Sequence, residues 1–246
     1  MIRVQGITDV GLVRKENQDA YAVREVTASG HTVCVVCDGM GGAAGGKLAS
    51  GIAVATYTEE LERVLTGSMT PEQLREASSY AVSLANRAIQ AAAGEDPQYS
   101  GMGTTLVSAV TYEGGAVITN VGDSRAYHIT SGGIARVTKD HSLVESMVER
   151  GDITAEEARR HPNRNLITRA LGPDIDAECD GYICPMAAGE FLLLCTDGLV
   201  NTVTDQEMLF EVLHNEGLER SLERLLQIAK DRGAPDNVTA ILLQAL

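Results

Sequence analysis

The 246-residue chain carries 20 basic against 34 acidic residues, a formal net charge of −14, and 44% of it is apolar. That length suits one large domain or two small ones, and the acidic balance argues against nucleic acid or an anionic membrane as a partner. No run reaches the ~18 to 20 apolar residues of a membrane span, and MIRVQGITDVG lacks the charged-then-apolar order of a signal peptide, so a cytoplasmic protein is expected.

Three short β-like runs open the chain, at residues 2–8, 20–26 and 31–38. Two long helical stretches follow. Residues 49–65 carry Ile52, Leu61, Val64 and Leu65; residues 71–92 carry Leu74, Ala77, Ala81, Leu84, Ala88 and Ile89 at helical spacing. Pro71 fits a first helical turn behind Thr70 as N-cap. A β-rich block comes next, at 104–112, 116–121, 125–130 and 134–137, with Gly114-Gly115 and Gly132-Gly133 as hairpin turns. Residues 142–174 break the pattern. They are polar, with a short helix over 143–150 and a second starting at Thr154, where Glu157 completes a capping box, and stopping near Pro162. An exposed, mobile insert is expected there.

Strands resume at 178–183 and 190–195. Thr204 and Glu207 form another capping box for a helix ending near His214. An amphipathic helix over 218–232 and a strand over 238–243 close the chain. Two helix pairs and mostly hairpin-connected strands predict an α+β fold, a β-sandwich with helices on its outer faces, read as a single domain over 1–246.

The five cysteines, Cys34, Cys37, Cys179, Cys184 and Cys195, form an odd set inside apolar runs, which reads as buried free thiols in a reducing compartment. Cys34 and Cys37 make a C-x-x-C. Strand residues three apart face opposite sides, so a zinc site there is set aside.

Four aspartates sit at the ends of apolar strands. Asp38 closes HTVCVVCDG, Asp123 closes AVITNVGDS, Asp197 closes EFLLLCTDG, and Asp236 opens PDNVTAILL. Each alone reads as a turn aspartate. Together, if the fold gathers the strand ends, they make a site for a hard divalent cation, because clustered carboxylates repel unless an ion neutralises them. The glycines of Asp38-Gly39-Met40-Gly41-Gly42 let the backbone turn sharply and offer a carbonyl as a further oxygen ligand. Arg14, ahead of Asn17-Gln18-Asp19, has the geometry to grip a phosphoryl group bidentately.

TDVGLVRKENQDAY, VVCDGMGG, GMGTTLV, VGDSRAY, TKDHSLV, ITAEEARRHPNRNLITRALG, LLLCTDGL and DNVTAILL occur in that order. From about Gly6 to Leu243 the chain thereby resembles the bacterial metal-dependent Ser/Thr protein phosphatases of the 2C type. The resemblance implies a four-layer αββα sandwich of two antiparallel sheets flanked by helix pairs, with the insert at about 142–174 as the family's flap. It implies two core Mn²⁺ or Mg²⁺ ions, with Asp38 bridging both, the Gly39 carbonyl on the first, and Asp197 and Asp236 on the second. Asp123, with Asp197, would hold a third ion. Arg14 would contact the substrate phosphate and Asp19 would orient a metal-bound water. A metal-bridging hydroxide would then attack phosphorus directly, with no phosphoenzyme, so Cys37 and Cys195 are not nucleophiles.

Two departures matter. Eukaryotic relatives carry a His directly after the Asp-Gly pair, where this chain has Met40, so water rather than a side chain is expected to protonate the leaving oxygen. His141 is the lesser candidate and reads better as a structural residue. Many bacterial members also carry a His or Asn and an acidic residue where this chain has Ala43 and Gly46. Neither is an expected ligand, although Gly46 is expected to weaken the start of the following helix by roughly 1 kcal/mol.

The insert gathers Arg150, Arg159, Arg160, His161, Arg164 and Arg169, a positive cluster suited to acidic or phosphorylated substrate segments, beside Glu145, Glu149, Glu156 and Glu157. The function expected is a monomeric phosphatase acting on phosphorylated proteins and opposing a cognate Ser/Thr kinase. A phosphatase dedicated to one regulatory partner and an inactive phosphoprotein-binding scaffold are the alternatives.

Overall fold

The computed structural model describes residues 1–246, apart from the side chains of Ala43, Ala44 and Arg159. Strands β1 (Ile2–Asp9), β2 (Ala20–Val26), β3 (His31–Cys37) and the two-residue β4 (Gly39–Met40) lead into helices α1 (Gly42–Val64) and α2 (Pro71–Glu95). Then come β5 (Gly103–Thr104), β6 (Leu106–Tyr112), β7 (Gly115–Val121), β8 (Arg125–Thr130) and β9 (Gly133–Arg136). The flap holds α3 (Leu143–Glu149) and α4 (Ala155–Arg160). After β10 (Asp180–Pro185) and β11 (Phe191–Cys195) come α5 (Asp197–Val200), α6 (Asp205–His214), α7 (Leu218–Asp231) and β12 (Val238–Ala245).

Two five-stranded antiparallel sheets stack face to face, ordered β1-β12-β11-β8-β9 and β10-β7-β6-β3-β2. Alternation decides the layers. In β3, Val33 and Val35 face α1 and α2, whereas Cys34 and Val36 enter the space between the sheets. In β11, Leu192 and Leu194 face that same space, while Leu193 and Cys195 face α6 and α7. Three apolar layers therefore separate four layers of structure, the αββα order expected. Aliphatic residues dominate all three, with Tyr57 and Tyr127 the largest fully buried side chains.

Several boundaries differ from the sequence reading, and each difference bears on the site. Helix α1 begins at Gly42, seven residues before the predicted start at Ala49. Gly45 and Gly46 are thus interior to α1 rather than ahead of it. Their lack of Cβ lets the helix lie against Met102 and Gly39. The predicted strand at 104–112 is split into β5 and β6, and β5 pairs antiparallel with β4 from across both long helices, a contact the periodicity did not reveal. Asp197 starts the short helix α5 instead of a β-turn. Among the described residues no helix is long and apolar enough to cross a membrane.

Candidate metal centre

Asp38 leaves β3 where its backbone is pinned on both sides. Its N–H donates to Thr105 Oγ1 at 2.9 Å, and its carbonyl accepts from Thr105 N at 2.9 Å and Thr104 Oγ1 at 2.8 Å. Thr105 Oγ1 also lies 2.7 Å from Ser124 Oγ, next to Asp123. A Cβ on Gly39 would collide with the carbonyl oxygens of Gly46 and Gln18, so glycine is required where β4 meets α1. Asp123 follows Gly122, whose φ of 101° puts it in the left-handed region, and a Cβ there would strike Thr105.

The other two aspartates arrive from the neighbouring sheet. Asp197 accepts from Asn201 Nδ2 at 3.1 Å through Oδ2 and comes within hydrogen-bonding reach of Asp38. Gly198 sits so close to the Asn237 carbonyl that no side chain fits. Asp236, at the mouth of β12, accepts from Asn237 N at 2.9 Å and from Arg14 Nη2 at 2.7 Å. A cleft of about 500 Å³ is lined by Arg14, Asp38, Gly39, Asp123, Asp197 and Asp236, with Asn165 and Ile167 entering from the flap. Six of the seven residues expected at the site thus share one cleft. Asp19 lies behind it, held by Thr196 Oγ1 at 3.0 Å.

Electrostatics follow from that crowding. Burial, then the charges of Asp19 and Asp197, holds the Asp38 carboxyl well above the usual carboxylate range. Burial and the Asp197 charge push Asp123 up to about 8. Burial, opposed by hydrogen bonds from Thr239 and Thr196, takes Asp19 up to about 7. Asp197 is raised as well, by burial and by Asp236. Asp19 Oδ1 and Asp197 Oδ1 are buried with no hydrogen-bond partner, and such orphaned oxygens are costly.

These features fit a hard divalent cation. The donors are oxygens alone, they repel one another, and buried oxygens stand unpaired. The fit is not yet a closed cage: among the described residues no three carboxylates, thiols or imidazoles already gather as a ready metal site, and Asp236 is paired to Arg14.

Sequence reading missed several residues that hold the site. Thr105 anchors Asp38, Thr196 holds Asp19, and Asn237 ties Asp236 to the N-terminal loop. In the sequence, Thr105 falls inside the strand expected at 104–112 and Thr196 just beyond the one expected at 190–195, and nothing local sets either apart. Their hydroxyl partners lie 67 and 177 residues away, beyond any local pattern.

His141 is 6% exposed and does not line the cleft. Its Nδ1 accepts from Gly122 N at 3.1 Å and its Nε2 lies 3.3 Å from Asp180 Oδ2, and burial lowers its pKa. That is a structural histidine. Met40 lines the cleft, and among the described residues no histidine does. Burial raises the Cys37 thiol and takes Cys195 up to about 12, so neither is a thiolate at neutral pH.

The flap arginines are less available than the sequence suggests. Arg150 pairs with Asp152 at 2.8 Å, Arg160 with Glu156 at 3.6 Å, and Arg169 with Asp180 at 3.2 Å. Arg164 is exposed and lines a cavity of about 870 Å³ beneath the flap, which shares Asp123, Asn165 and Asp197 with the cleft. Arg159 lies outside the described side chains.

Comparison with known proteins agrees with this geometry. A family model described as Protein phosphatase 2C matches residues 13–243. The serine/threonine phosphatase stp of Listeria welshimeri is 34% identical over 237 residues, which covers 96% of this chain and 93% of that protein. A crystal structure described as a bacterial serine phosphatase superposes with a TM-score of 0.93 at 35% identity, covering 100% of this chain and 98% of the other. The catalytic domain of the phosphatase PstP in complex with two manganese ions superposes with a TM-score of 0.82 at 31% identity, covering 99% and 97%.

Proposed function

The chain belongs to the protein phosphatase 2C family and is a serine/threonine protein phosphatase, and from that premise we propose how its own residues carry the reaction. The observation that supports the reading is the convergence of Asp38, Asp123, Asp197 and Asp236 on one cleft beside Arg14. Asp38, the Gly39 carbonyl, Asp197 and Asp236 would hold two Mn²⁺ or Mg²⁺ ions, and Asp123 with Asp197 a third. Bound divalent ions lower the pKa of water and neutralise charge on a phosphoryl group.

The rest falls to the chain. Arg14 grips the phosphate with its guanidinium fork and holds it in line for attack. Asp19, with an unpaired oxygen behind the cleft, orients water and takes its proton. The new P–O bond forms as the bond to the serine or threonine oxygen breaks, and that oxygen is protonated by water, since Met40 has no proton to give. Burial keeps Cys37 and Cys195 protonated, which supports direct hydrolysis over a cysteinyl-phosphate route.

The substrates are phosphorylated proteins. We read the chain as a single catalytic domain over 1–246 with the flap at about 142–174, working as a cytoplasmic monomer against a Ser/Thr kinase. The test is hydrolysis of a phosphothreonine peptide with Mn²⁺ and with EDTA. Turnover is expected in the first case alone, and absence of turnover by folded, Mn²⁺-supplied protein would sink the reading.

A further inference from the structure

The loop over residues 10–18 carries Arg14, yet it has no regular secondary structure. Leu12 and Val13 at its tip are 62% and 67% exposed, so apolar packing does not hold it. One side chain spans it. Asn237 Oδ1 accepts from Gln18 N at 2.9 Å, and Asn237 Nδ2 donates to Val10 O at 2.9 Å and to Glu16 O at 3.1 Å. The carboxamide thus closes both ends of the loop with its acceptor and both of its donors. Asn237 is itself 5% exposed and fixed. Its backbone N–H donates to Asp236 Oδ1, and its carbonyl lies against Gly198, one residue from Asp197.

We propose that Asn237 is the positioning residue for the phosphate grip: it sets where Arg14 stands relative to Asp236 and Asp197. Resting on the assignment of Arg14 to the substrate phosphate, it adds a residue whose effect reaches the phosphate through Arg14, while Asp19, next to Gln18, keeps its own hold on Thr196. Two carbonyls and one N–H demand one acceptor and two donors at fixed angles, which an asparagine amide supplies. Alanine leaves all three backbone groups bare, and the loop then relaxes outward. Ionic strength and metal supply do not repair this, because no charge and no metal oxygen is lost.

A double-mutant cycle tests the proposal, using Asn237→Ala, Arg14→Ala and the pair, with kcat/KM on a phosphothreonine peptide. Misplacement by ~1 Å costs up to about 10²-fold, so Asn237→Ala is expected to lose roughly 10- to 100-fold. In the Arg14→Ala background the same change is expected to cost no more than about twofold, since its target is gone. Mn²⁺ affinity by calorimetry is expected to stay clear of the roughly 10- to 100-fold loss that removing a ligand's own hydrogen-bond partner brings, because the backbone N–H that Asn237 donates to Asp236 is kept in alanine.

Full additivity, or a loss of Mn²⁺ binding that parallels the loss of rate, overturns the proposal and makes Asn237 a general support of β12. An Arg14→Ala variant with parental kcat/KM overturns the Arg14 assignment instead, so the two failures are distinct. Asn237→Ser, whose hydroxyl is too short to span the loop, is the second variant if the alanine protein does not fold. Amide exchange faster in residues 11–18 with β12 still protected is expected in either variant, and equal loss of protection in both segments counts against the proposal.

Discussion

The carboxylate floor and the flap face each other across the same cleft but are built in opposite ways. Floor residues are pinned by partners remote in sequence: Asp38 through its backbone by Thr105, and Asp236 and Asp19 through their carboxylates by Arg14 and Thr196. The strands beneath Asp38 and Asp123 are buried along their whole length except at Thr32. The flap is local. Helix α3 buries no residue, α4 is held by its own capping box, and most flap charges pair within the flap or at its base. Its two arms are joined to each other by the Ser142–Ile167 bridge, and it is tied to the body by the Thr104–Leu171 bridge and by Asn86 and Gln90 gripping the Asp174 carbonyl. The contrast teaches where precision is needed. Groups that must meet to within a fraction of an ångström sit on non-local strands, while the cover over them is assembled from short-range contacts.

The comparison is broken most severely by removing the central floor carboxylate. Asp38→Asn keeps the shape and the backbone pins but removes the charge that faces Asp197 and Asp123. Metal ions supply several kcal/mol of transition-state stabilisation, and each ~1.4 kcal/mol is a factor of ten. A loss on the order of 10³-fold in kcat is therefore expected, with the thermal midpoint little changed. A loss under about tenfold in single-turnover assays at saturating Mn²⁺ would contradict a central role for Asp38.

How much of this was legible follows the same divide. The αββα layering could be read because strands alternate and helices recur at their own period, as Val33–Val36 and Leu192–Cys195 show. The aspartates were legible as strand-end residues, though their convergence depended on the order of eight motifs rather than on any one. What could not be read was whatever depends on an approach between distant segments. The early start of α1 rests on Gly45 and Gly46 lying against Met102 and Gly39. The partners of Thr105, Thr196 and Asn237 carry no periodic signal. The flap arginines misled for the converse reason: a run of positive residues is visible in sequence, but the acids that neutralise them are interleaved or, like Asp180, belong to a strand beyond the insert.

The crowded floor also sets a pH dependence. Asp19 and Asp123 have folded-state pKa values of about 7 and about 8, raised from the usual range near 4. The folded protein then binds more protons than the unfolded chain between those limits, so its stability falls as pH rises. In chelator, the thermal midpoint is expected to decline from about pH 5 to about pH 8. A divalent ion that binds only the folded state offsets that loss, by more at the alkaline end. Scanning calorimetry with EDTA and with Mn²⁺ measures the gap. A gap that narrows as pH rises would mean that these carboxyls are not the groups being neutralised.

The smallest effect belongs to the flap. Arg164 is exposed, lines the cavity beneath the flap and has no ion pair among the described residues, whereas Arg160 already faces Glu156. An exposed charge that meets a substrate carboxylate is worth at most ~1 kcal/mol and is screened by salt. Arg164→Ala is therefore expected to lower kcat/KM on an acidic phosphopeptide by about two- to fivefold at low ionic strength, with the deficit shrinking toward 1 M salt. Hydrolysis of a small aryl phosphate, which occupies the cleft that Arg164 does not line, is expected to stay unchanged. Equal changes on both substrates would mean that Arg164 acts through the floor, and the division between a rigid floor and an independent cover would then fail at Asn165, the flap residue that lines both cavities.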